Sequence, residues 1–86
     1  MTQEIEQFFA ADGSLLSIPV KTPKRVAVLN RIAQNFAEGT RYNEKEVNEV
    51  ISRYYDDTAA IRRYMIEYGI LERDNKSVYW LQSNGE

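Results

Sequence analysis

The 86-residue chain contains no cysteine and no histidine. Without thiols it can form no disulfide, no thiolate zinc site and no cysteine nucleophile. Without imidazole it lacks the commonest general base and the commonest metal ligand together. Its four glycines build neither a phosphate-binding loop nor a Gly-x-Ser-x-Gly elbow. Its carboxylates do not follow the calcium-loop pattern. No apolar run approaches a membrane span, and the start MTQEIEQFF is acidic where a signal peptide is basic. The expectation is a cytoplasmic protein with no enzymatic activity, no cofactor, no metal and no membrane association.

What is present suits one small folded domain. Hydrophobic residues are 43% and charged residues 28%, an ordinary globular balance. A chain of this length buries only a modest core. The formal charge of −2 and the pI of about 5.2 lack the overall basic excess of a dedicated nucleic-acid binder. A local basic stripe is enough for docking, so the placement of charge matters more than its sum.

The periodicity predicts a short helix over 3–10, with Ile5 beside Phe8 and Phe9, then a turn at Asp12-Gly13 and an extended segment over 14–18. Pro19 and Pro23 bar any helix from crossing residues 19–23. Thr22-Pro23 is a helix start, and Val26, Leu29, Ile32, Ala33 and Phe36 form the stripe of a helix expected over 23–37, with Gly39 in a left-handed position after it. Arg41-Tyr42 reads as a very short strand. Asn43 with Glu46 is a capping-box signal opening a helix whose stripe is Val47, Val50, Ile51 and Tyr54. Asp56-Asp57 caps the next helix, over 58–68, with Ile61, Met65 and Tyr68 inward and Gly69 as its stop. Residues 70–73 and 77–81 are strands around the polar turn Asp74-Asn75-Lys76, and residues 83–86 are a frayed tail.

Helix, tight turn, helix and hairpin is the order of a winged helix. The expected fold class is therefore α+β: a winged helix over 23–82, preceded by an N-terminal extension over 1–22 that packs on it. In that arrangement the helix over 58–68 is the one laid into a DNA groove. At 100° per residue Arg63 lies about 160° from Met65, away from the core stripe, and Arg62 lies on a flank. Guanidinium groups bind phosphate oxygens or the O6/N7 edge of guanine. Thr58 starts the same helix, where small residues permit close approach. Lys76, with Arg73 near it, is a candidate wing contact to backbone phosphate. Lys24 and Arg25, with Lys21, form a second basic cluster at a helix N-terminus, where the dipole disfavours cations. Against these stand plainer roles: surface arginines are commonly solvated or paired with carboxylates, and most of the tyrosines read as packing residues.

The phrases DGSLLSIPVKTPKRVAVLNRIAQNF, GTRYNEKEVNEVISRYYDD, AAIRRYMIEYGILERD and VYW resemble a bacterial family of short domains of unknown function. Its members occur alone or as the C-terminal part of proteins described as transcriptional regulators. The resemblance runs from about Phe9 to Trp80 and implies a winged-helix-like domain associated with regulation. Arg62-Arg63 and Leu71-Glu72-Arg73 carry over as pattern residues, not as contacts. Tyr64 stands where the family usually has an acidic residue, which would make this helix less negative. Some relatives carry an additional DNA-binding domain; where that domain does the binding, the present one would be a dimerisation or sensor module.

The function expected is a DNA-binding transcriptional regulator, with double-stranded DNA as partner and a homodimer spanning paired half-sites. Ile5, Phe8, Phe9, Leu15 and Leu16, within 3–18, are the candidate dimer surface. The alternative is a protein-interaction or dimerisation module of the same fold that binds no nucleic acid, which the acidic pI favours; RNA binding is a third reading.

Overall fold

In a computed structural model, which describes residues 5–82, the apolar stripes of every helix meet in one core. Helix α1 spans Thr22–Ala33, a two-residue strand β1 spans Tyr42–Asn43, and helices α2 and α3 span Glu44–Ser52 and Thr58–Glu67. Strands β2 (Leu71–Arg73) and β3 (Val78–Leu81) follow, and a single 3-10 turn, Glu6–Phe8, precedes α1. The architecture is α+β, three α-helices against an antiparallel three-stranded sheet of order β1-β3-β2. Val28, Leu29 and Ile32 of α1, Val47 and Ile51 of α2, Ile61 and Met65 of α3, Leu71 of β2 and Tyr79 of β3 are almost wholly excluded from solvent.

Local chemistry sets the element ends. Pro23 occupies the first turn of α1, where its missing N–H costs nothing. The helix ends at Ala33, four residues before the expected Ala37. Gln34, Asn35 and Phe36 bond back three residues rather than four, and the Asn35 side chain donates to the Ile32 carbonyl at 2.9 Å and to the Tyr54 hydroxyl at 2.8 Å. A side chain that takes a terminal carbonyl competes with continued helix. The tightened turn still buries Phe36, whose ring meets Tyr42 edge-on at 5.1 Å. Gly39 takes φ +78°, as expected.

Helix α2 opens on a complete capping box: the Asn43 side chain accepts from the Glu46 amide at 2.8 Å, and the Glu46 carboxylate accepts from the Asn43 amide at 2.9 Å. Between the two Asp candidates, Asp57 caps α3, accepting from the Ala60 amide at 3.1 Å. At the far end of α3 the Ile70 amide bonds the Met65 carbonyl and the Gly69 amide bonds the Ile66 carbonyl, with Gly69 at φ +73°. This paired closure turns the chain sharply into β2.

The hairpin turn is organised by Asp74. Its carboxylate accepts from the amides of Lys76 at 2.9 Å and Val78 at 3.0 Å, and these backbone hydrogen bonds hold its carboxyl below the usual aspartate value. Ser77 closes the turn at φ +62°, a left-handed conformation that costs a non-glycine residue about 1–2 kcal/mol.

The expected helix over 3–10 is only the 3-10 turn; residues 3 and 4 lie outside the described residues, as does the tail at 83–86. After it the chain doubles back, Phe9 bridging Leu15, and the Leu15 amide bonds the Tyr54 carbonyl at 2.6 Å. Ile5 and Leu15 are buried in the common core and Phe8 and Phe9 are packed against it. Arg31 of α1 fastens this strap through an ion pair to Glu6 at 2.7 Å and lies over the Phe9 ring. Of the five residues expected to form an apolar dimer surface, only Leu16 stays largely exposed, at 62%.

Candidate functional site

Helix α3 has two inward residues a turn apart, Ile61 and Met65, so its opposite face must point outward. Ala59, Arg63 and Glu67 are the exposed residues of that face, and Arg62 and Ile66 flank it half-buried. The sheet register brings in a third arginine. Arg73 pairs with Tyr79 across β2 and β3, so both side chains leave the same, core-facing side of the sheet. Tyr79 is buried in the core, while Arg73, its partner on the edge strand β2, is exposed. Glu72 and Trp80 pair on the other face, where the Arg41 guanidinium sits 4.2 Å from the Trp80 ring centroid.

An open groove of about 320 Å³ results between α3, the start of α2 and the hairpin, with Arg62, Arg63 and Arg73 along its wall beside Glu44, Glu67 and Tyr79. Three guanidinium groups therefore face two carboxylates. The arginines are not equivalent. Arg62 is tied down: it donates a short hydrogen bond to the Asn48 side chain and lies 3.8 Å from the Glu44 carboxylate, with its own side chain only 20% exposed. The buried Tyr79 hydroxyl donates to the other Glu44 oxygen at 3.3 Å. Among the described residues Arg73 makes only loose contacts, to the Asp74 carbonyl at 3.3 Å, the Ser77 hydroxyl at 3.5 Å and the Tyr79 ring, 5.8 Å from its centroid. Arg63 is exposed and has no ion pair or hydrogen bond among the described residues.

Arg63 points outward and Arg62 lies on a flank, as helix phase predicts, but the expectation of Arg62 as a guanidinium open to nucleic acid needs correction, because Asn48 and Glu44 engage it. Flank residues of a helix packed against its neighbour meet that neighbour's side chains, and here those are Asn48 and Glu44, one turn apart on α2. Arg25 also departs from the free cation expected of it. Its guanidinium donates to the Pro19 carbonyl at 2.9 Å, the Val20 carbonyl at 3.0 Å and the Tyr68 hydroxyl at 3.0 Å. It also lies 4.7 Å from the centre of the Tyr64 ring, which stacks on Tyr68. The Tyr68 hydrogen bond is the main reason its pKa is raised. Arg25 is a clamp between the residue 19–20 segment, α1 and the end of α3. Lys24 beside it is half-buried on α1, outside the groove.

Lys76 is exposed at the hairpin tip. Thr58 does not line the groove; it borders an adjoining hollow shared with Glu44, Asn48 and Ser52. Glu44, Ile66, Glu67 and Tyr79 are groove residues that the sequence did not single out. Their convergence depends on how α2, α3 and β3 cross, which no local pattern encodes. Among the described residues no cluster of acidic side chains is arranged to hold a metal ion, and no helix is long and apolar enough to cross a membrane.

Residues 14–81 match the sequence profile of a family described as an uncharacterized protein conserved in bacteria, DUF2087. The chain belongs to this family. No curated protein and no solved structure matches it. The DUF2087 match takes in the extended segment after Gly13, all three α-helices and the whole hairpin, and so includes every groove residue; the 3-10 turn lies before it.

Proposed function

We propose that this DUF2087 domain is a winged helix-turn-helix that binds double-stranded DNA as a transcriptional regulator, with α3 as the recognition helix and the β2–β3 hairpin as the wing. The element order α1-β1-α2-α3-β2-β3, with β1 closing the sheet against β3, is the order that such a domain requires. One observation carries the binding claim: Arg63 of α3 and Arg73 of the hairpin that follows it line a single open groove, and neither is paired with a carboxylate among the described residues. Side chains so placed straddle a phosphate backbone while the exposed face of α3 approaches base edges. Lys76 at the wing tip adds a backbone contact. One module of this size makes a modest interface, so paired half-sites bound by a homodimer would raise affinity.

Fluorescence anisotropy with a labelled mixed-sequence duplex tests the reading. Binding should be measurable at low salt, fall linearly on a log–log salt plot with a slope of about −0.9 per phosphate contacted, and weaken at least about tenfold in Arg63→Glu. The presence of Glu44 and Glu67 in the groove, together with the acidic pI of about 5.2, favours the second reading, a protein-docking module. An absence of binding at low salt, with pull-downs recovering a protein instead, decides for that alternative.

A further inference from the structure

The groove contains its own competing anion. Glu44 is the first residue of α2 and reaches across the helix-turn-helix to Arg62, while its second oxygen is held by the buried Tyr79 hydroxyl. Asn48, one turn further along α2, takes the other arm of the same guanidinium. Arg62 is thereby withheld from the groove that Arg63 and Arg73 leave open. We propose that Glu44 is a selectivity residue: it occupies Arg62 in the free protein and yields it only to a nucleic-acid phosphate or guanine edge placed well enough to replace the carboxylate. This inference rests on the DNA-binding reading above and assigns the regulation of that same groove.

The physical case is one of exchange. The Arg62–Glu44 contact is long and more than a third of the Glu44 side chain is exposed, the condition in which an ion pair is weak and open to competition. A phosphate at hydrogen-bonding distance makes a stronger, charge-assisted contact with the same guanidinium. A poorly seated duplex cannot make that exchange: Arg62 stays with Glu44, and the part-exposed carboxylate still repels the phosphate. Discrimination built from such a repulsive element needs no additional attractive contact. Tyr79 matters because its hydroxyl keeps the carboxylate aimed at Arg62 rather than at solvent.

Glu44→Gln tests this cleanly, because the amide oxygen can still accept from Tyr79 while the charge is gone. Binding of the mixed-sequence duplex should tighten about threefold to fivefold, the size expected for release of one exposed ion pair. The same change in an Arg62→Gln background should have a clearly smaller effect, the non-additivity of a coupled pair. Glu67→Gln, which removes a carboxylate from the same groove without touching Arg62, supplies the control for simple charge. Equal effects of Glu44→Gln and Glu67→Gln, or strict additivity with Arg62→Gln, overturn the selectivity role while DNA binding stands. If neither wild type nor Glu44→Gln binds the duplex at low salt, both this role and the DNA-binding reading fall.

Discussion

Single side chains in this domain divide sharply into those already committed to the fold and those left over. Arg25, Arg31 and Arg62 all have defined partners, and only the environment distinguishes them from Arg63. Asp74 shows how a half-buried turn carboxylate can be structural. Its carboxylate gathers the amides of the hairpin turn, and the same bonds lower its pKa. A depressed folded-state pKa contributes stability that is fully present above the ordinary aspartate value, near about 3.9, and is lost as pH falls through the folded value. Glu6, held down mainly by its hydrogen bond from Arg31, and Asp12, held down mainly by the Ser14 amide, act in the same direction. Denaturant melts across the acid range should therefore show wild-type stability declining below about pH 4, and Asp74→Asn should flatten part of that decline while loosening the turn at every pH. Much of the hairpin was legible here, since Asp74-Asn75-Lys76 is turn chemistry by composition alone. Ser77 in a left-handed conformation was not, because serine carries no general signal for positive φ.

At the scale of elements, the caps decide where α2 and α3 begin. The Asn43–Glu46 box fixes the start of α2 immediately after β1 and so fixes where Glu44 stands. Asn43→Ala should cost about 1 kcal/mol of unfolding free energy, read as a lowered denaturation midpoint with an unchanged slope. A loss close to zero would mean that the strand pairing of β1, rather than the box, sets this junction. Capping and apolar spacing are local properties, which is why both α2 and α3 could be read from the chain to within a few residues. The end of α1 could not. Its stripe continues through Phe36 in the sequence, yet the helix stops at Ala33 because Asn35 meets Tyr54, nineteen residues away, and captures the Ile32 carbonyl. A tertiary contact overrode a local pattern. The lock on Arg62 was hidden for the same reason: helix phase placed it on a flank, but only the packing of α2 on α3 supplies Asn48 and Glu44 as its neighbours.

For the molecule as a whole, the sign of the total charge misleads. A net negative chain nevertheless assembles a groove in which guanidinium groups outnumber carboxylates. The strap over residues 5–20 gives Ile5 and Leu15 to the core and carries Leu16 and Val20, the large apolar side chains left exposed among the described residues. The proposed DNA contacts lie where α3 faces the hairpin. An NMR titration of the isotopically labelled protein with a mixed-sequence duplex at low salt addresses this most directly. If α3 and the wing clasp the duplex, the largest shifts fall on the amides of Ala59, Arg63, Arg73 and residues 74–77 and on the Arg63 side-chain N–H. Shifts centred on α1 or on the residue 5–20 strap, or no shifts at all, would contradict it.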